Sequence, residues 1–205
     1  MPSLSDLVQH QLAGLWLLVR GDARGLSNFD ISDEGVVRSF LAFVICLPAI
    51  IVHAVLRRIE FLQVSPDLGR STITFLFQAM ALQTAGWVLS LGCLMLFGLL
   101  LGLRPLLRPL VVLMNWAAVP ALYLAYGIVY PIAMLPDDSI VFSLLKAALL
   151  VGASVGAIVI AWLALRTVVG GSLVRRSALM VLVALPATYI VSMLETSMGL
   201  RLPHG

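Results

Sequence analysis

Ile140-Val-Phe-Ser-Leu-Leu-Lys146-Ala-Ala-Leu-Leu-Val-Gly152-Ala-Ser154-Val-Gly156-Ala-Ile-Val-Ile-Ala-Trp162-Leu-Ala-Leu165 is a run of 26 residues with one formal charge. At about 1.5 Å per helical residue it is long enough to cross a hydrocarbon core about 30 Å thick. Comparable runs fall at about 36–56, 79–103, 110–133 and 177–196, which makes residues 140–165 the fourth of five. The whole chain of 205 residues is 61% hydrophobic and 11% charged, with a mean hydropathy of +1.06. A soluble domain is about 45–50% apolar and 25% charged, so this chain uses the bilayer as its solvent. The fold class is all-α, a polytopic transmembrane helical bundle of about five spans.

Working outward from that run, Pro136-Asp137-Asp138-Ser139 reads as a tight turn that caps it. Arg166 to Arg176, with Gly170-Gly171 inside, links it to the fifth span, which contains Pro186. The third span holds Pro120 and Pro131, with Trp116, Tyr123, Tyr126 and Tyr130 along it, and follows the turn Arg104-Pro105-Leu-Leu-Arg108-Pro109. The stretch from Ser71 to Leu103 has 33 residues. As one helix it would be roughly 50 Å long, so it is expected to split, with the first two turns, near Gln78 and Gln83, either interfacial or facing the bundle and the span proper running about 79–103. The first span is expected to be kinked at Pro48 and closed by Arg57-Arg58, with Ser32-Asp33-Glu34 as its N-cap and acidic first turn.

Before that span, residues 3–19 alternate Leu4, Leu7, Val8, Leu12, Leu15 and Leu18 with Ser5, Asp6, Gln9 and His10 at helical period. This predicts an amphipathic helix lying on the membrane, so residues 1–34 form an interfacial helix and loop and 35–205 a single transmembrane domain. The first twenty residues lack the charge and cleavage pattern of a signal peptide.

The charge pattern sets orientation. Twelve arginines and Lys146 give a pI near 9.2, but the basic residues sit at the ends of apolar runs, which argues for headgroups rather than nucleic acid as partner. Arg104, Arg108, Arg166, Arg175 and Arg176 are expected to anchor one end. With the N-terminus inside, Arg20, Arg24 and Arg38 join those five on the cytoplasmic side, against Arg57, Arg58, Arg70, Lys146 and Arg201 outside. Arginine, alanine and leucine richness with almost no lysine points to a GC-rich bacterial genome and hence an inner membrane.

Few patterns suggest chemistry. Gly152-Ala-Ser154-Val-Gly156 spells the serine-nucleophile elbow, but it lies mid-span and not on a strand-to-helix turn. The same residues, and Gly98-Leu-Leu-Leu-Gly102, spell G-x-x-x-G, which favours close helix packing within the chain or between copies. Lys146 is the formal charge deepest in a span and is expected to snorkel to Asp137 or Asp138; a polar cluster with His53 and Glu195 is the functional alternative. Asn115, Gln78 and Gln83 read as interhelical hydrogen-bonding residues. Cys46 and Cys93 lie in apolar runs, and no metal, redox or nucleotide motif is present, so no cofactor and no catalytic residue is expected.

Two stretches carry a resemblance: Gly25-Leu-Ser-Asn-Phe-Asp30-Ile-Ser-Asp-Glu-Gly35-Val-Val-Arg38-Ser-Phe40, and Arg104 through Leu113-Met-Asn115-Trp116-Ala-Ala-Val-Pro120. They resemble small bacterial membrane proteins akin to the Yip domain, the five-span family of Ypt-interacting membrane proteins. The resemblance implies a cytoplasmic N-terminus and a role in organising membranes, without catalysis. The expected partners are the lipid bilayer and either a second copy or another membrane protein, with a small transporter or channel component as the alternative role.

Overall fold

The computed structural model describes residues 4–64, 71–136 and 139–200. Helix α1 spans Leu4–Val19, α2 Asp33–Ser39, α3 Leu41–Val64, α4 Thr72–Leu100, α5 Leu107–Leu124, α6 Tyr130–Ala133, α7 Ile140–Val169 and α8 Leu173–Ser197. Five segments are long and apolar enough to cross a membrane: α2 with α3, α4, α5 with α6, α7, and α8. The described residues contain no strand. A helix satisfies its own backbone donors and acceptors, which is what the hydrocarbon core demands of a crossing segment.

Several boundaries differ from the expected ones; the third span starts earlier than residue 110 and the fourth runs to Val169. The first span does not stop at Arg57-Arg58; α3 continues to Val64, with the Arg58 side chain buried and its guanidinium 5.2 Å from the Phe75 ring. The long stretch after residue 70 does not split, because α4 is one helix from Thr72 to Leu100; of the two placements open to its first turns, the bundle-facing one is taken by Phe75, which is fully buried. The last span starts earlier than residue 177, at Leu173, where Ser172 caps the helix by accepting from Arg175 N–H at 3.3 Å. The acceptors Asp137 and Asp138 proposed for Lys146, together with Arg70 and Arg201, lie outside the described residues.

Helix α5 is the hub. It packs on α1, α2, α3, α4 and α7, and buries Leu110, Val111, Val112, Leu113, Asn115, Trp116 and Val119. Asn115 is fully buried; its Nδ2 donates to Ser39 Oγ at 2.8 Å and its Oδ1 accepts from Trp87 Nε1 at 3.0 Å, joining α5 to α2 and α4. Ser39 Oγ in turn donates to Val36 O at 2.7 Å. The expectation that Asn115 ties helices together holds, and Trp87 is held further by an edge contact with Phe43 at 5.0 Å.

The N-terminal helix docks on this hub rather than standing apart. Leu15 and Leu18 enter the main core with residues of α3, α4 and α5, and Thr167 Oγ1 on α7 donates to Leu18 O at 2.8 Å. A close small-residue crossing lies here. A Cβ at Gly25 would lie 2.5 Å from Gly14 O, and one at Gly14 would lie 2.7 Å from Asn28 Cβ. Asn28 Nδ2 and Gln11 Nε2 exchange bonds with His10 O and Asn28 O at 3.1 and 3.2 Å. Asp22 caps the 3-10 turn Ala23–Asn28, and its bonds to Arg24 hold its carboxyl below the usual range.

Neither G-x-x-x-G pair packs two spans together along its length. Nothing lies within 4 Å of a Cβ built at Gly152 or Gly156, which correspond to open positions on α7. A Cβ at Gly98 would press within 2.5 Å of Leu107 Cδ2 at the start of α5, whereas Gly102, at φ +67°, serves the turn after α4. Two outcomes test this layout by thermal unfolding in detergent. Asn115→Leu should lower stability by about 1–3 kcal/mol, because Ser39 and Trp87 lose a buried partner. Gly152→Leu should leave the isolated chain within about 0.5 kcal/mol of wild type, while Gly25→Leu, which forces α1 off the hub, should be clearly destabilising.

Candidate functional site

The polar side chains of the spans gather at the end of the bundle opposite α1. Helix α3 carries His53, Arg57 and Glu60 at spacings of four and three, so all three share one face. That face meets α8 at Glu195, α4 at Gln83, and the π turn Ala125–Val129 that precedes α6. Together His53, Arg57, Gln83 and Glu195, with Phe75 and Leu82 beneath, line a cavity of about 180 Å³.

Arg57, Gln83 and Glu195 have hydrogen-bond or ion-pair partners, and His53 is held by ring contacts. Arg57 and Glu195 form an ion pair, and Arg57 Nη2 also donates to Leu200 O at 3.1 Å, which fastens the end of α8 to α3. The His53 ring stacks on Tyr126 with centroids 3.9 Å apart and meets Tyr130 edge-on at 5.1 Å. Tyr126 donates its hydroxyl to Gln83 Oε1 at 3.0 Å, and Tyr130 donates to Glu60 Oε2 at 2.5 Å. The π turn explains the two tyrosines. Pro131 lacks the N–H that a regular turn would need, so the helix opens by one residue just before it, and Tyr126 and Tyr130 come to flank one imidazole.

The expected cluster of His53, Lys146 and Glu195 is therefore two-thirds present. His53 and Glu195 line one cavity, linked through Arg57. Lys146 is held elsewhere: it is buried, its Nζ donates to Leu135 O at 2.6 Å, and it lies 5.6 Å from the Phe142 ring. Capping the carbonyls that end α6 is a structural task, and it anchors α7 to the preceding turn. Ser154 sits on the exposed side of α7 with its hydroxyl donated to Leu150 O at 2.8 Å, while His53 is enclosed by its two tyrosines. The elbow-like motif thus lacks the turn and, among the described residues, an imidazole at its hydroxyl; His204 lies outside them.

At the other end, the five expected anchors divide in role. Arg108 pairs with Asp33 at 2.6 Å, close to the α2 N-terminus. Arg175 is committed to the fold, its Nε and Nη2 donating to Leu101 O at 3.1 and 2.7 Å and so closing the turn after α4. Arg166 reaches over Gly21, Arg104 is exposed, and Arg176 lies over the Trp162 ring at 5.1 Å.

Arg57, Glu60, Tyr126, Tyr130 and Gln83 were not expected to form one site. The signal was the spacing of His53, Arg57 and Glu60, which reads as one face only when α3 is carried past Arg58. The side chains of Arg57 and Glu195 are 24% and 27% exposed, so breaking the pair costs less than in a dry interior. Glu195→Leu alone should destabilise the chain by about 1–3 kcal/mol because Arg57 is left uncompensated. The double variant Arg57→Leu with Glu195→Leu should recover most of that loss in the same thermal assay. Comparison with protein-family models, curated proteins and solved structures returns no match, so these residues stand on their geometry alone.

Proposed function

We propose that the chain acts by binding within the membrane, to a protein partner, a second copy or lipid, and carries out no catalysis. The observation supporting this is the uneven packing of the spans. Helix α7 runs for 30 residues and buries only Lys146, Ala164 and Val168, whereas α5, with 18, buries eight. Such a helix, with Gly152 and Gly156 open along it, leaves a long apolar flank for lateral contacts. The polar side chains near the ends are engaged in holding helices together, which suits a binding scaffold. Membership of a Yip-like group, a bacterial inner membrane and a cytoplasmic N-terminus belong to the same reading, supported by the entry segment, by composition and by the eight basic residues on the α1 side.

A small transporter or channel component is the second reading. The observation favouring it is the cavity around His53, Arg57, Gln83 and Glu195, which opens a polar recess inside an apolar bundle.

Crosslinking and co-purification from native membranes should recover a stable partner or a homo-oligomer, and the purified chain in liposomes should pass no ions. Ion flux by the isolated chain would favour the second reading. Orientation is tested by single cysteines in a background lacking Cys46 and Cys93. Ala23→Cys and Arg104→Cys should react with a charged thiol reagent from the cytoplasmic side and Pro136→Cys from the other, and the reverse labelling would invert the orientation.

A further inference from the structure

We propose that the groove between α7 and α8 at the arginine-rich end binds one anionic phospholipid, with an acyl chain in the groove and the phosphate on Arg176. This rests on the intramembrane-binding reading and narrows it to lipid.

The groove is an apolar cavity of about 280 Å³ whose lining is entirely hydrocarbon and thioether. Its floor includes the buried Leu110, Ala164 and Leu179, while Ala161 on α7 and Ala184 on α8 are exposed at its lip. The groove therefore opens sideways, between two helices whose small side chains leave a gap. No water is at hand at this depth to fill it, and an empty apolar gap forfeits dispersion contacts on every wall. A flexible acyl chain restores them.

The polar end of the groove supplies the charge. Arg176 precedes Leu179 and Met180 by one turn on α8, and α8 side chains lean back toward the arginine-rich end. Its guanidinium carbon lies 5.1 Å from the Trp162 ring on α7, so the side chain bridges the two helices beside the groove. Its Nε is enclosed and has no hydrogen-bond acceptor. The contrast with its neighbours is informative, since Arg175 is taken up by Leu101 O and Arg108 by Asp33. Among the described residues no carboxylate pairs with Arg176. A phosphate presents paired oxygens that match the guanidinium fork at Nη1 and Nη2, and a rotation of the side chain away from the groove wall would bring the orphan Nε into the same fork. A zwitterionic headgroup would bring an ammonium beside Arg175 and Arg176, whereas an anionic one adds no such repulsion.

The test uses the full chain in mild detergent, titrated with phosphatidylglycerol or with phosphatidylcholine of the same acyl chains, and counts bound lipid by native mass spectrometry. Wild type should retain one phosphatidylglycerol with about tenfold preference over phosphatidylcholine. Arg176→Gln should erase the preference, whereas Arg104→Gln should keep it, and Ala184→Phe should lower retention of both lipids by filling the groove. Melting temperatures without added lipid report whether each variant folds. If Arg176→Gln does not fold, Arg176→Lys, which keeps the charge and loses the fork, should show a weakened preference. Equal retention of the two lipids by wild type overturns the proposal, as does an undiminished preference in the folded Arg176 variant. A chain that retains no lipid but still crosslinks to a partner or to itself also overturns it and leaves the broader binding reading standing; a chain that does neither overturns both.

Discussion

The bundle depends on one buried amide. Asn115 sits on the helix that touches most of the others, and it offers a donor and an acceptor in a place where water cannot serve as the alternative partner. Ser39 and Trp87 answer them, so α2 and α4 take up fixed positions on α5. Apolar packing alone would not do this, because lipid tails are as apolar as leucine and the hydrophobic effect offers little preference for helix over lipid. A polar bond that must be made inside the bundle supplies the register that leucine contacts leave loose.

With α5 fixed, the two ends of the bundle take different characters. The α1 end is closed by contacts onto backbone: Gly25 against Gly14 O, Thr167 on Leu18 O, and Arg175 on Leu101 O. The opposite end is closed mainly by side chain on side chain, with Arg57 reaching Glu195 and two tyrosines clasping His53. Helix α7 belongs fully to neither, being tied by Lys146 at one end and by Thr167 near the other, with little holding its middle. That leaves both its outer flank and the groove beside α8 open to whatever the membrane brings.

The polar cavity and the apolar groove are separate in place and in chemistry. Arg57, Gln83 and Glu195 in the cavity are already bonded to neighbours and His53 is held by ring contacts, which makes it a clamp first and a recess second. The groove has no polar lining and a nearby guanidinium with a donor left over. An arrangement of that kind is directional: hydrocarbon inward, anion at the arginine-rich end.

Span count, helical class and the roles of Asn115 and the N-capping Ser32 were legible in the sequence, because hydropathy over some twenty residues and a capping pattern are local properties that lipid enforces on every crossing segment. The ends of spans were less so: Arg57-Arg58 looked terminal, yet burial beside Phe75 and pairing with Glu195 let α3 continue past them. For a related reason the glycine spacing at 152 and 156 did not say whether the contact lies within the chain. Gly152 and Gly156 share a helical face by spacing alone, but which face meets a neighbour is set by the positions of the other helices, and none came there. Sequence by itself determined the helical membrane class and the number of spans, since those follow from the solvent each segment tolerates. Only the tertiary structure decided that His53 meets Tyr126, that Lys146 caps α6, and that Arg176 keeps an unpaired donor, since each depends on contacts between side chains on different helices or turns, brought together only when those segments pack.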